Sequence, residues 1–228
     1  YTFNDGSYVS SSELSESKGY WIRSEEKGNI NINSIYDIRH RKEVTTMSKE
    51  SRIEYINAYL AAWNDPSGQL KEVVNSYQEY YSRGLHNNGA FLPWHRSYLL
   101  TVENILREHN PNVTIPYWDW TLWNKVTDSD IWGNESHQFS DGGDSDHNVV
   151  EGPFGQLGPF GQTNGDTLHR NFQPDSASSA HDIENLFTDF PNSSDYNGFR
   201  KRLEHGPGMH DSVHCLVGGT MCSVRAAN

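Results

Sequence analysis

The sequence predicts a mainly α-helical fold with long irregular loops and little strand. Three observations carry that expectation. Apolar residues fall at helical spacing in successive segments between residues 47 and 109. Helical spacing returns over 196–206 and 208–217. Between these blocks, residues 121–195 read as acidic, loop-like chain. At 228 residues the chain is long enough to bury a real core, and residues 1–228 are expected to form a single domain or the larger part of one.

Residues 1–46 are polar and irregular, with no sustained period. The first helix is expected over MSKESRIEYINAYLAAW, residues 47–63, where Ile53, Ile56, Tyr59 and Leu60 share a face. Ser48 can cap it, with Ser51 in the first turn, and Asn64-Asp65-Pro66-Ser67-Gly68 ends it with turn chemistry. A second helix is expected over QLKEVVNSYQEYYSRG, residues 69–84. A third begins at Pro93, whose missing N–H costs nothing at an early helical position, and runs to Asn110-Pro111. In the middle region GPFGQ occurs at 152–156 and 158–162, too short a copy to be a repeat architecture. SDGGDSDHN, residues 140–148, has the look of a calcium loop but lacks the terminal Glu, so a solvated loop is expected. Gly218-Gly219 stops the last helix.

The formal charge of −12 argues against nucleic acid and anionic membrane surfaces as partners, since both need clustered Lys and Arg. There is no apolar run of ~18 residues that could span a bilayer. Three glycosylation sequons, at Asn112, Asn134 and Asn192, tilt the expectation toward a secreted protein. Cys215 and Cys222 are compatible with that: the intervening Gly218-Gly219 can turn the chain back and let them bond, and sequence alone leaves the pairing open.

The histidines carry the chemistry. His95 lies in line with Leu99, Val102 and Leu106, an apolar helix face, so it points at the core. A buried imidazole needs both nitrogens satisfied or a metal. His210 and His214 stand at i and i+4 and share a side with Val213 and Val217. Two inward histidines one turn apart are a common way to hold a transition metal, although HxxxH also arises by chance. A third inward histidine on another helix, with His86 just upstream of it, raises the metal reading. An imidazole-only donor set favours copper.

HNNGAFLPWHRSYLLTVENILR, IPYWDW at 115–120, EGPFGQ…LHRNF and LEHGPGMHDSVHCLVGGTM together resemble the tyrosinase, catechol oxidase and molluscan haemocyanin family, in family order over about residues 45–228. The resemblance implies an antiparallel helical bundle around a dinuclear copper site, each copper held by three histidines, that binds dioxygen. By motif, His86 and His95 are ligands of the first copper, and His210 and His214 of the second. Asp211 follows the first ligand of the second copper, where phenol-hydroxylating members carry Asn or Asp. Glu204 stands where a glutamate holds, with that residue, a water able to deprotonate a phenol; a plain helix-surface Glu is the alternative.

The sequence departs from the pattern twice. The third histidine of the second copper lies in a following helix in the family, and the chain reaches Asn228 first, so a further C-terminal segment or fragment is expected to complete the bundle. The first histidine of the first copper is missing from the second helix, with Tyr80 or Tyr81 near its place; His40 is the one upstream candidate and precedes the first helix. Three functions follow: a secreted copper oxidoreductase that oxidises phenols or catechols with dioxygen, an oxygen-binding protein of haemocyanin type, or a family fold with a degenerate copper site and a structural, storage or matrix role.

Overall fold

The computed structural model describes residues 2–4, 7–9, 39–123, 125–155, 168–174, 180–189, 195–206 and 209–223. Two compact units divide the chain, Tyr1–Ile38 and Arg39–Asn228. Within the first, β1 (Thr2–Asn4) pairs antiparallel with β2 (Ser7–Val9), Thr2 opposite Val9. This short hairpin has no counterpart in the sequence expectations. The helices that position the histidines all belong to the second unit.

Helix α1 (Lys49–Asn64) starts where expected, because Ser48 Oγ accepts the Ser51 N–H at 3.2 Å. The chain leaves it through Asp65, whose carboxylate accepts the Ser67 N–H at 2.8 Å, and through Gly68 at φ +70°, a conformation glycine adopts without strain. Helix α2 (Gln69–Ser82) follows directly. Helix α3 (Phe91–His109) begins two residues before Pro93, which leaves the proline in the first turn, where its missing N–H has no helical partner to lose.

These three helices bury one core. Ile56, Ala62 and Trp63 from α1 meet Leu70 and Val74 from α2 and Val102, Ile105 and Leu106 from α3. The expected apolar face of α3 is narrower than its spacing implied: Leu106 is fully buried, but Leu99 is 38% exposed.

One buried charge ties the strand-like segments to this core. Glu103, 1% exposed, accepts from Arg39 Nη1 at 3.2 Å, Arg41 Nε at 2.9 Å and the Ile115 N–H at 3.0 Å. A buried carboxylate is tolerable only when its lone pairs are filled in this way. Residues 42–44 then pair with Tyr117, by Tyr117 N–H to Lys42 O at 2.9 Å and Val44 N–H to Tyr117 O at 2.8 Å.

The second half holds a one-turn α4 (Gly152–Gly155), α5 (Ala180–Asp189), α6 (Tyr196–His205) and α7 (His210–Val217). Helix α5 corrects the expectation of continuous loop over 121–195. The second GPFGQ copy falls outside the described residues. Loop 140–148 is held by its own side chains, Asp144 accepting the N–H groups of Asp146 and Asn148 at 2.9 Å each. The Gly218-Gly219 stop has a steric cause. Both residues take positive φ, and a Cβ on either would strike the carbonyl of Asn171 or His169, because the 169–173 segment crosses there and hydrogen bonds to Val217 and Thr220. None of the described helices is long and apolar enough to cross a membrane.

Glu103→Gln removes the charge that two arginines and an amide share while keeping the shape. Urea denaturation is expected to show a loss of roughly 2 kcal/mol, the scale of a charge-assisted hydrogen bond lost from a buried group; an unchanged midpoint contradicts the role given to this carboxylate.

Candidate metal centre

His86, His95 and His210 come together. One nitrogen of each lies within 4.8 Å of the others. They arrive from three places: the loop between α2 and α3, the first turns of α3, and the start of α7. Phe91, 3% exposed, sits among them, its ring centroid 5.3 Å from His86, 4.7 Å from His95 and 4.9 Å from His210. His214 stands one turn along α7 with its ring 4.4 Å from that of His210. All four sequence-expected histidines therefore meet, with His210 close to both pairs.

Three of the four are oriented by a fixed acceptor. His95 Nδ1 lies 2.7 Å from Phe91 O, and His214 Nδ1 lies 2.9 Å from Met221 O. A carbonyl cannot donate, so in both rings Nδ1 carries the proton and Nε2 keeps its lone pair. His210 Nδ1 lies 2.9 Å from Asp211 Oδ1. Burial pushes the Asp211 carboxyl up, but hydrogen bonds from His205 and His210 more than reverse this and leave it below the usual carboxylate range. His210 therefore donates to an ionised acceptor. In His86, Nδ1 is buried with no hydrogen-bond partner among the described residues. Leaving a buried ring nitrogen unpaired is costly, and a metal ion satisfies such an atom.

The electrostatics suit a cation. Burial lowers the affinity of all four imidazoles for protons; the neighbouring His95 adds to this at His86, and His214 adds to it at His210, which falls to about 4. Neutral imidazoles at pH 7 are metal donors, and a nitrogen-only set suits copper. The residues present fit the metal that the sequence implied.

Helix α2 departs from expectation. The side chain facing the histidines is Tyr77, 4% exposed, with its ring 6.2 Å from His86 and 6.0 Å from His95. Tyr80, at 44% exposure, faces away, and Tyr81 reaches only the His86 ring, at 4.7 Å. Burial, with Tyr81 and Asp211 nearby, pushes the Tyr77 phenol up to about 12. His40 is exposed on the segment beside Thr114, outside the cluster.

Glu204 is fully buried, which overturns the helix-surface alternative. Its Oε2 accepts from Arg200 Nη1 at 2.6 Å and its Oε1 accepts the Asn87 N–H at 2.8 Å, so it ties α6 to the loop that carries His86. Asn87 itself has φ +66°, a backbone state that this hydrogen bond helps to hold. Asp211 is bracketed by His205 and His210, His205 Nδ1 standing 2.5 Å from its Oδ2. Sequence reasoning passed over His205 and Tyr77; the signal available for His205 was its place directly before Gly206, six residues ahead of Asp211. Cys215 and Cys222 are disulfide-bonded, with Cα atoms 4.4 Å apart, and this closes the turn that presents Met221 O to His214.

Residues 61–228 match the common central domain of tyrosinase. This chain belongs to the tyrosinase family. That family is one of dinuclear copper enzymes. The chain is 27% identical over 209 residues to a tyrosinase of Streptomyces glaucescens, covering 82% of this chain and 75% of that protein. It is 33% identical over 128 residues to tyrosinase P of Aspergillus terreus, covering 51% of this chain and 35% of that protein. Its fold is similar to that of a polyphenol oxidase variant from Thermothelomyces thermophila, with a TM-score of 0.65 at 19% identity over 82% of this chain and 64% of that one. The chain thus spans less than two thirds of the Aspergillus and Thermothelomyces proteins.

The lowered histidine pKa values set a pH dependence. In the unfolded chain these imidazoles take up protons near pH ~6.5; in the folded, metal-free protein they do so only at lower pH, about 4 for His210. Between those values the unfolded state binds more protons, so stability rises with pH and is lost as pH falls through the window. Urea midpoints of metal-free protein are expected to drop steadily from pH 7 to pH 4. A flat profile contradicts buried neutral imidazoles.

Proposed function

We propose that this chain forms the copper-holding part of an oxidase that acts on phenols or catechols with dioxygen. The observation that carries the reading is the convergence of four neutral imidazoles, three of them with Nδ1–H given to a fixed acceptor. His86 and His95 would hold one copper, and His210 and His214 the other. When bound, the copper pair supplies the redox chemistry that such an oxidation needs. The chain's own residues bind and orient. Phe91 walls off water, and Tyr77, His86, His205, His210, Asp211 and His214 line a cavity of about 410 Å³ that admits a small aromatic ring. Asp211 and Glu204, the carboxylates that resemblance links to a proton-accepting water, lie on either side of His205; in this proposal they favour the ionised phenol by holding that water.

We place the third donor of the second copper on a segment outside residues 1–228. What supports this is a cavity of about 320 Å³ beside His214, lined by Tyr55, Trp118, Trp120, Trp132 and Phe139; the indole N–H groups of these three tryptophans are buried with no acceptor among the described residues. An exported location belongs to the same proposal. The Cys215–Cys222 disulfide favours an oxidising compartment, and the sequon residues Asn112 and Asn134 are exposed; Asn192 falls outside the described residues.

One observation favours a second reading, a family fold with a weakened copper pair: the α2 residue against His86 and His95 is a tyrosine. Copper titration separates the two. The oxidase reading expects two coppers per chain and catechol oxidation that disappears on chelation and returns with copper. No uptake at either site, with no oxidation after reconstitution, removes the oxidase reading and leaves the degenerate one.

A further inference from the structure

We propose that His205 is a positioning residue for the second copper subsite, acting through Asp211 to fix the ring of His210. The inference rests on the copper reading above. Asp211 lies in the first turn of α7 with its side chain half exposed, and Met209, the N-cap, makes no side-chain cap bond. An acidic residue there ordinarily turns toward the free N–H groups of its own helix or toward water. Here both oxygens turn to imidazoles instead, Oδ2 to His205 Nδ1 at 2.5 Å and Oδ1 to His210 Nδ1 at 2.9 Å. A carboxylate held by one partner alone would rotate into solvent. Held by two, it has one orientation.

The backbone is built to make this contact. Gly206 ends α6, and a Cβ there would collide with Arg202 O and crowd Met209 Cγ. The Met209 N–H then closes a turn onto Gly206 O at 3.0 Å. That reversal lays the last residue of α6 over the first turn of α7, which sets His205 beside Asp211. Its neighbour Glu204 meanwhile grips Asn87, next to His86. The last turn of α6, which holds none of the four candidate ligands, thus reaches both halves of the cluster. Partners that orient a metal-bound imidazole through its far nitrogen tune affinity strongly, typically 10–100-fold.

The test uses two substitutions in the full protein. His205→Ala removes the donor; His205→Asn keeps an amide N–H near the place of Nδ1. Copper titration is expected to show the second equivalent weakened by about 10–100-fold in the Ala variant, the first equivalent unchanged, and most of the loss restored by Asn. A second readout needs no copper: ¹⁵N chemical shifts of the His210 ring are expected to report one tautomer, Nδ1–H, in the wild type and the Asn variant, and a mixture in the Ala variant. Wild-type copper affinity in the Ala variant, an unchanged His210 tautomer there, or an Asn variant as damaged as Ala each overturns the proposal. If the unaltered protein takes up no copper, the oxidase reading fails by itself, and the tautomer measurement still decides the role of His205.

Discussion

An imidazole can serve a metal only when one ring nitrogen is unprotonated and aimed, and the second unit of this protein is organised around that requirement. His95, His210 and His214 meet it in the same way, by giving Nδ1–H to Phe91 O, Asp211 Oδ1 and Met221 O. Each acceptor is fixed by a different device. Phe91 O belongs to the first turn of α3. Met221 O is presented by a turn that the Cys215–Cys222 bond closes. Asp211 is held by His205. His86 is the exception: its buried Nδ1 has no partner among the described residues, and its loop is held from behind by the Glu204 bond to Asn87.

This requirement explains features that look unrelated. Gly206 and Gly218-Gly219 all sit where a Cβ has no room, and all three permit a backbone reversal next to a site histidine. Glu204 and Arg200 are both at least 98% buried and bonded to each other, an arrangement that adds little stability but specifies geometry. The three-helix core of α1, α2 and α3 supplies the rigid wall that the site leans on, and Glu103 fastens residues 39–41 and 115 to that wall.

Much of this was legible in the chain. Ser48, the Asn64–Gly68 turn and Gly218-Gly219 marked helix ends because capping and steric exclusion are local effects. His95, His210 and His214 were legible because helical spacing decides which side chains share a face; His86, in a loop, was legible only through the motif that it shares with His95. Residues whose role depends on another segment were not. Tyr77 reaches both His86 and His95, while Tyr81 reaches His86 and Tyr80 points outward, because the rotation of α2 is set by packing Leu70 and Val74 into the core. Glu204 reads as an ordinary charged helix residue until Arg200 and the Asn87 amide are seen beside it. Leu99 kept the apolar spacing yet stays 38% exposed, outside the cluster of buried residues that α1, α2 and α3 share. Helix α5 is short and lies in an acidic stretch whose composition argues for loop.

The proposed copper pair divides the four histidines two and two, yet one nitrogen of His210 lies within 4.8 Å of a nitrogen of both His86 and His95. Anomalous diffraction at the copper edge, from crystals of copper-loaded protein, addresses it directly. Two copper peaks are expected, one against His86 and His95 and the other against His210 and His214. A single peak shared by His86, His95 and His210, with His214 left aside, would mean a mononuclear centre and would contradict the account.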